Sequence, residues 1–338
     1  MPARQGARLT FEKFDPWLNG TFNGGTDMLI ETMRLIAGKS NRPIMPVDVG
    51  VKWDTHTKVG RLPGKAAAIR VLDINGDGRL DIHAACPEGD RVFIAGKSNS
   101  FEELPALDAR SLAADWADFD GDGRPDLASL SAAGLTLYLQ AEPGKFKAAP
   151  VPAALDGKPN LASPTVSVVD LDGDGRSDLI IGAALLPIML RNDGREAFKP
   201  LPPPATTQPA APDGQAGPCI VADFDSDGRP DILQTYARGG LLLRGGRGRF
   251  EPCDVAMGQV KHRTATLADL TGDGRLCVIL SGGGARPVIY AWADGRFRSV
   301  TAAVGEPSYI MQAGVSCVAA GDINNDAFVD LFVGYAAE

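Results

Sequence analysis

Short apolar segments recur along the whole chain, separated by turns rich in Gly and Asp. One set precedes an acidic cluster: AAAIRVLD, SLAADWAD, TVSVVD, CIVAD, TATLAD and VSCVAAGD. A second set follows it: DIHAAC, DLASLS, DLIIGAA, DILQTY, CVILSG and DLFVGY. After a Gly-bearing turn comes a third set, RVFIAG, LTLYLQ, PIMLRN, LLLRG and PVIYAW, and after another turn a Phe. Phe101, Phe146, Phe198 and Phe297 each lie 28 residues past the first Asp of their cluster, and Phe250 lies 27 past its own. Segments this short, β-prone and bounded by turn residues predict four strands per unit. Helical periodicity is ambiguous only at 27-DMLIETMRLIAG-38.

The acidic clusters set the phase. They begin at Asp73, Asp118, Asp170, Asp223, Asp269 and Asp322, with a degraded copy, 19-NGTFNGGTD-27, ahead of them. The intervals are 54, 45, 52, 53, 46 and 53 residues, which makes seven repeats. Four strands in a unit of this length are the signature of a propeller blade, and radial closure protects sheet edges that a linear array would expose. The expectation is an all-β, seven-bladed β-propeller of four-stranded blades. It forms one domain over 1–338, with repeats beginning near 8, 65, 111, 164, 217, 262 and 315. The last blade is expected to be incomplete, because the seventh repeat reaches Glu338 one strand after its cluster. The Pro-rich run 199–218 keeps the repeat interval and reads as a surface connection between blades.

Composition adds limits. Of 338 residues, 44% are hydrophobic, enough for a sizeable core, and the 40 Gly and 25 Pro suit many short strands joined by turns. A formal charge of -8 without a basic stripe argues against nucleic acid. No apolar run reaches membrane-span length, and MPARQGARLTFEKF has no apolar h-region of a signal peptide. The five cysteines are irregularly spaced without a CxxC, so they read as buried small hydrophobes. His56, His83 and His262 share no repeat offset, and GxSxG, HExxH and P-loop motifs are missing. Asp115 and Trp116 fall on an expected inner strand, where packing is the simpler role.

The clusters themselves carry the chemistry. In a nine-residue numbering, side-chain oxygens stand at positions 1, 3, 5 and 9, and Gly at position 6 allows a left-handed turn. The sets are Asp73, Asn75, Asp77 and Asp81; Asp118, Asp120, Asp122 and Asp126; Asp170, Asp172, Asp174 and Asp178; and Asp223, Asp225, Asp227 and Asp231. Position 7 adds a backbone carbonyl from Arg79, Arg124, Arg176 or Arg229. An all-oxygen loop of this size suits calcium. Magnesium demands tighter octahedral geometry, and zinc prefers His or Cys. Position 12 is Ala84, Ser129, Ile181 or Gln234 and the flanks are strands, which rejects an EF-hand. Four calcium sites are expected. Asp322, Asn324, Asp326 and Asp330 make a fifth only if Ala327 can take the turn. Cys277 in place of an acid leaves 269–277 empty, as does the single full charge of 19–27.

The stretch 118-DFDGDGRPDL-127 and its siblings, set between the first two strands of each unit, resemble the FG-GAP/VCBS family of calcium-binding β-propellers, which includes the integrin α-subunit head. The resemblance covers about residues 8–338. It implies seven blades, calcium loops on one face, and an extracellular or periplasmic location. The family includes adhesion heads, lectins and polysaccharide lyases, so three readings stay open. One is a calcium-stabilised binding module for a glycan or protein, monomeric or part of a larger chain. The others are a polysaccharide lyase or hydrolase, and a structural domain of a longer secreted protein. The binding module is favoured over the enzyme.

Overall fold

The computed structural model describes residues 31–34, 59–105, 107–151, 163–182, 186–194, 197–202, 216–246, 250–259, 262–270, 272–301, 314–322 and 329–335. Strand β1 (Glu31–Arg34) precedes five four-stranded antiparallel sheets. The first sheet contains β2 (Ala68–Leu72), β3 (Asp81–Ala85), β4 (Arg91–Ala95) and β5 (Phe101–Glu103). The second contains β6 (Ala113–Ala117), β7 (Asp126–Ser131), β8 (Gly134–Glu142) and β9 (Lys145–Pro150). The third contains β10 (Val166–Val169), β11 (Asp178–Ile181), β12 (Ile188–Asn192) and β13 (Phe198–Pro200). The fourth contains β14 (Ala216–Ala222), β15 (Asp231–Tyr236), β16 (Arg238–Gly245) and β17 (Phe250–Gln259). The fifth contains β18 (Thr264–Ala268), β19 (Cys277–Ser281), β20 (Val288–Ala293) and β21 (Arg296–Ser299). Each is a meander in chain order, and the expected Phe opens or lies in every fourth strand.

The second strands are the most deeply placed: β11, β15 and β19 are buried along their full length. Both of their faces are covered, which is why DLII and CVILS read as unbroken apolar runs rather than alternating ones. The first strands β2, β6, β10, β14 and β18 lie beside one another in sequence order. That places first strands innermost and fourth strands on the rim, the radial order of a β-propeller. The cores lie between sheets. Phe119, Leu130 and Leu137 of the second pack with Leu179, Leu190 and Phe198 of the third, and Leu233 and Leu242 of the fourth pack with Val278 and Tyr290 of the fifth.

Among the described residues five blades are complete, where the repeat count predicts seven. A sixth sheet joins β22 (Val315–Gly321) and β23 (Asp330–Tyr335) to β1, which pairs antiparallel with β23 from Glu31↔Val333 to Arg34↔Asp330. The ambiguous 27–38 segment therefore contributes a strand. It completes a third place in the last sheet rather than heading a blade of its own, because an uncovered edge offers unpaired N–H and C=O groups for capture. The degraded copy 19–27 lies outside the described residues. The Pro-rich run is a connection for only part of its length, since β14 already begins at Ala216 and shifts register between Ala216 and Cys219, where Pro218 has no N–H to donate.

Candidate metal centres

Every described acidic cluster links the first strand of its sheet to the second. Position 1 organises the loop. Asp118 Oδ1 accepts the N–H of Gly121 (2.7 Å) and Asp122 (3.1 Å), and Oδ2 that of Gly123 (2.8 Å). Asp73 and Asp170 repeat this pattern on Gly76 and Gly78, and on Gly173 and Gly175. Asp223 holds Asp227 and Gly228 in the same way. Bonds this dense require a backbone that coils leftward twice. Positions 4 and 6 both have positive φ: 82° and 85° at Gly121 and Gly123, and 61° and 83° at Ser226 and Gly228. Sequence reading assigned this need to position 6 alone; the Gly at position 4 in four loops (Gly76, Gly121, Gly173 and Gly272) was the available signal.

Position 2 is the anchor. Ile74, Phe119, Phe224 and Leu270 are buried, and Phe119 meets Phe198 of the next sheet edge to face at 5.9 Å, as Phe224 meets Phe297 of its next sheet at 5.1 Å. Position 9 is the strut. Asp81, Asp126, Asp178 and Asp231 are buried, at 0–1% exposure. One oxygen of each accepts the position-2 N–H (Ile74, Phe119, Leu171, Phe224), at 2.8–3.0 Å. The other accepts an N–H from the third strand (Ala95, Gln140, Asn192, Gly245), at 2.7–2.8 Å.

The carboxylates converge. In Asp118, Asp120 and Asp122, in Asp170, Asp172 and Asp178, and in Asp223, Asp225 and Asp231, one oxygen per residue lies within 4.8 Å of the others. Burial pushes the Asp126 carboxyl up to about 6, with the charges of Asp120 and Asp122 adding to it against the opposing backbone bonds. Burial raises Asp178 and Asp231 in the same sense, and Asp120 as well, helped there by Asp122 and Asp118. Asp225 Oδ1 is buried without a hydrogen-bond partner, while its Oδ2 accepts Arg244 Nε at 2.9 Å.

The position-7 arginines do more than present a carbonyl. Arg79, Arg124 and Arg176 reach Asp77, Asp122 and Asp174 at position 5. Their Nε atoms donate to Ala95 O, Gln140 O and Asn192 O at 2.6–2.8 Å. Arg229 and Arg275 pair with Asp227 and Asp273, both at 3.0 Å. Each is a built-in counter-ion, Arg79, Arg124 and Arg176 also tie the loop to the third strand, and the Arg at a fixed position was the sequence signature.

The remaining loops differ. In 269–277 the position-9 strut is a buried Cys277, whose thiol burial pushes up. In the last loop Asp322 is exposed and Asp330 buried, while Asn324, Asp326 and Ala327 lie outside the described residues. Asn75 bonds to Asp77 Oδ2 at 3.0 Å. Cys86, Cys219 and Cys277 are buried as expected, but Cys253 is half-buried and Cys317 exposed.

A second polar cluster imitates a Ser-His-Asp arrangement. His83, Asp90 and Ser111 are wholly buried, and Ser129 nearly so. Trp116 Nε1 donates to His83 Nδ1 (3.1 Å), leaving Nε2 to face Asp90 Oδ2 (3.0 Å). Ser111 Oγ bonds to Asp90 Oδ2 and Ser129 Oγ, each at 2.6 Å. Burial opposes the Asp90 charge, but bonds from His83, Ser111 and the Cys86 N–H hold its carboxyl below the ordinary range. With both imidazole nitrogens engaged and no solvent access, neither nitrogen is free to activate the hydroxyl; the cluster locks the first sheet to the second. Asp115 likewise joins first strands, pairing with Arg70 at 3.1 Å and accepting Val168 N–H at 3.2 Å.

Comparison with known proteins gives a family. The model of the FG-GAP-like repeat matches residues 73–129, 118–181 and 269–333. No curated protein sequence matches significantly. Among solved structures, an Agrocybe aegerita lectin described as recognising non-reducing terminal N-acetylglucosamine is 19% identical over 81% of each chain, with a TM-score of 0.49. The Vibrio cholerae biofilm matrix protein Bap1 is 18% identical over 86% of this chain and 45% of its own, with a TM-score of 0.46. A Pseudomonas aeruginosa periplasmic gluconolactonase is 16% identical over 67% of each chain, with a TM-score of 0.43. These likenesses are too distant to assign a ligand. The repeat matches, spanning more than half of the sequence and falling on the acidic loops and their strands, establish that the chain belongs to the FG-GAP-like repeat family.

Proposed function

We propose that this chain is a calcium-stabilised β-propeller acting as a binding module for a glycan or protein. The observation that carries the metal reading is the convergence of three carboxylates in each of three loops, with a buried, unpartnered Asp225 oxygen in one of them. The donor set is all oxygen, which fits a hard cation. Asp118, Asp120, Asp122 and Asp126 would hold one ion, and their counterparts at 73–81, 170–178 and 223–231 the others. The bound cation supplies positive charge that relieves the mutual repulsion of the acids. The chain's own residues shape the loop, through position 1, and brace it against the third strand, through position 9. Loops fixed in this way form a rigid rim on which a ligand can be recognised. The reading carries with it a ring closed by the pairing of β1 with β23. It also carries an extracellular or periplasmic location, where open calcium loops of modest affinity are filled. Asp172→Ala with Asp174→Ala tests it: native mass spectrometry in calcium is expected to count one ion fewer than in the unaltered protein. An unchanged count, or no bound ion in either protein, would overturn the proposal.

A further inference from the structure

Two buried side-chain amides tie neighbouring acidic loops together. Gln140, near the end of β8, donates from Nε2 to Pro125 O of its own loop (2.8 Å) and to Ile74 O of the preceding loop (3.0 Å), and its Oε1 accepts Gly144 N–H (2.7 Å). Asn192, at the end of β12, makes the same set: Ser177 O (3.2 Å), Phe119 O of the preceding loop (2.9 Å), and Gly194 N–H (2.9 Å). Both are 1% exposed. A buried amide is tolerated where its donors and acceptor are matched, and here they are. The backbone N–H groups of the same two residues hold the position-9 acids Asp126 and Asp178, each at 2.7 Å. Phe119 and Ile74 in turn donate to Asp126 and Asp81. A continuous hydrogen-bonded line therefore runs Asp81–Ile74–Gln140–Asp126–Phe119–Asn192–Asp178 through three blades.

The line stops at the fourth blade. The equivalent residue there is Gly245, which still donates its N–H to Asp231 (2.7 Å) but has no amide to reach back. A Cβ at Gly245 would fall 2.4 Å from Pro230 O, so no side chain fits in this backbone position.

We propose that Gln140 and Asn192 are positioning residues that couple the loops 73–81, 118–126 and 170–178. Cation binding in one raises affinity in its neighbour, while loop 223–231 binds independently of loop 170–178. The inference rests on the calcium reading above. The physical route is direct. A cation drawing on Asp126 acts on the carboxylate that fixes the Gln140 backbone, and the Gln140 side chain fixes the preceding loop. Bonds in such a chain polarise one another, and coupling of this kind is reciprocal.

The test uses the full chain and calcium itself. Loop 118–126 is disabled at the surface by Asp120→Asn with Asp122→Asn, which leaves the buried line untouched. Calcium affinity at loop 73–81 is then read from the amide NMR signals of Gly76 and Gly78. A weakening of roughly five-fold or more is expected, and adding Gln140→Leu should abolish the dependence. Asp225→Asn with Asp227→Asn should leave the Gly173 and Gly175 titration unchanged. Equal affinity at loop 73–81 with and without its neighbour would overturn the coupling. An equal effect of disabling loop 223–231 on loop 170–178 would overturn the amide line as its route. No calcium response at any of these glycines would overturn the calcium reading, and the inference with it.

Discussion

Asp126→Asn separates the two roles of the buried strut. The change keeps size and one acceptor oxygen, but points an NH2 group at a backbone N–H, either Phe119 or Gln140. One hydrogen bond is lost and a buried donor is left facing another, at a cost of about 2–4 kcal/mol. Against this, the carboxylate is charged at neutral pH only at a penalty. Its value rises from 3.8 to about 6 on folding, so removing the charge returns at most about 3 kcal/mol. The two effects nearly cancel in metal-free protein at pH 7.5, where the variant is expected to lie within about 1 kcal/mol of the parent. The sign of the pH dependence follows. A raised folded value means that folding takes up a proton, so the metal-free parent gains stability as pH falls from 7.5 to 5, by at most about 1.4 kcal/mol from this group. The variant lacks that gain, and its deficit should widen towards pH 5. With calcium present the deficit should instead be large at pH 7.5, because the cation has removed the penalty that the substitution relieved. Urea unfolding at both pH values, with EDTA and with calcium, measures all four stabilities. A metal-free deficit at pH 7.5 as large as that at pH 5 would refute the reasoning.

Other outcomes are specific to single residues. Burial holds the His262 imidazole below its usual range while Nε2 faces Arg286 O at 2.6 Å and Nδ1 is buried without a partner. Its stabilising share is complete above about pH 6.5 and is lost as pH falls through the depressed folded value, so His262→Gln should flatten stability between pH 7 and 5; an unchanged slope would exclude it as the responsible group. Trp116→Phe leaves His83 Nδ1 without its donor inside a dry cluster, and denaturant unfolding should show a loss of about 1–3 kcal/mol. Phe119→Ala removes a ring that is 2% exposed between two blades and should cost about 3–5 kcal/mol by the same measurement, with faster amide exchange at Leu179 and Leu190.

Much of this architecture was legible in the sequence because strand and loop periods repeat in phase. The Asp at positions 1 and 9 and the Phe of each fourth strand stand where their offsets place them. What escaped were features whose partners lie in another repeat. Gln140 and Ile74 are 66 residues apart and Asn192 and Phe119 are 73 apart, so no local pattern joins them. His83, Asp90, Ser111 and Trp116 form one cluster although the histidines share no offset, because a single pair of adjacent blades needs that lock. The pairing of β1 with β23 joins opposite ends of the chain, which a count of acidic loops does not register. The Arg side chains were missed for a different reason: their carbonyls already satisfied the calcium pattern.

The central claim is that the acidic loops hold calcium and that the fold depends on it. Thermal unfolding of the whole chain in millimolar calcium and in excess EDTA tests this most directly. A ligand that binds only the folded state stabilises it by mass action, so the account predicts a markedly lower melting temperature in EDTA, restored when calcium is added back. Coincident melting curves in the two conditions would contradict it.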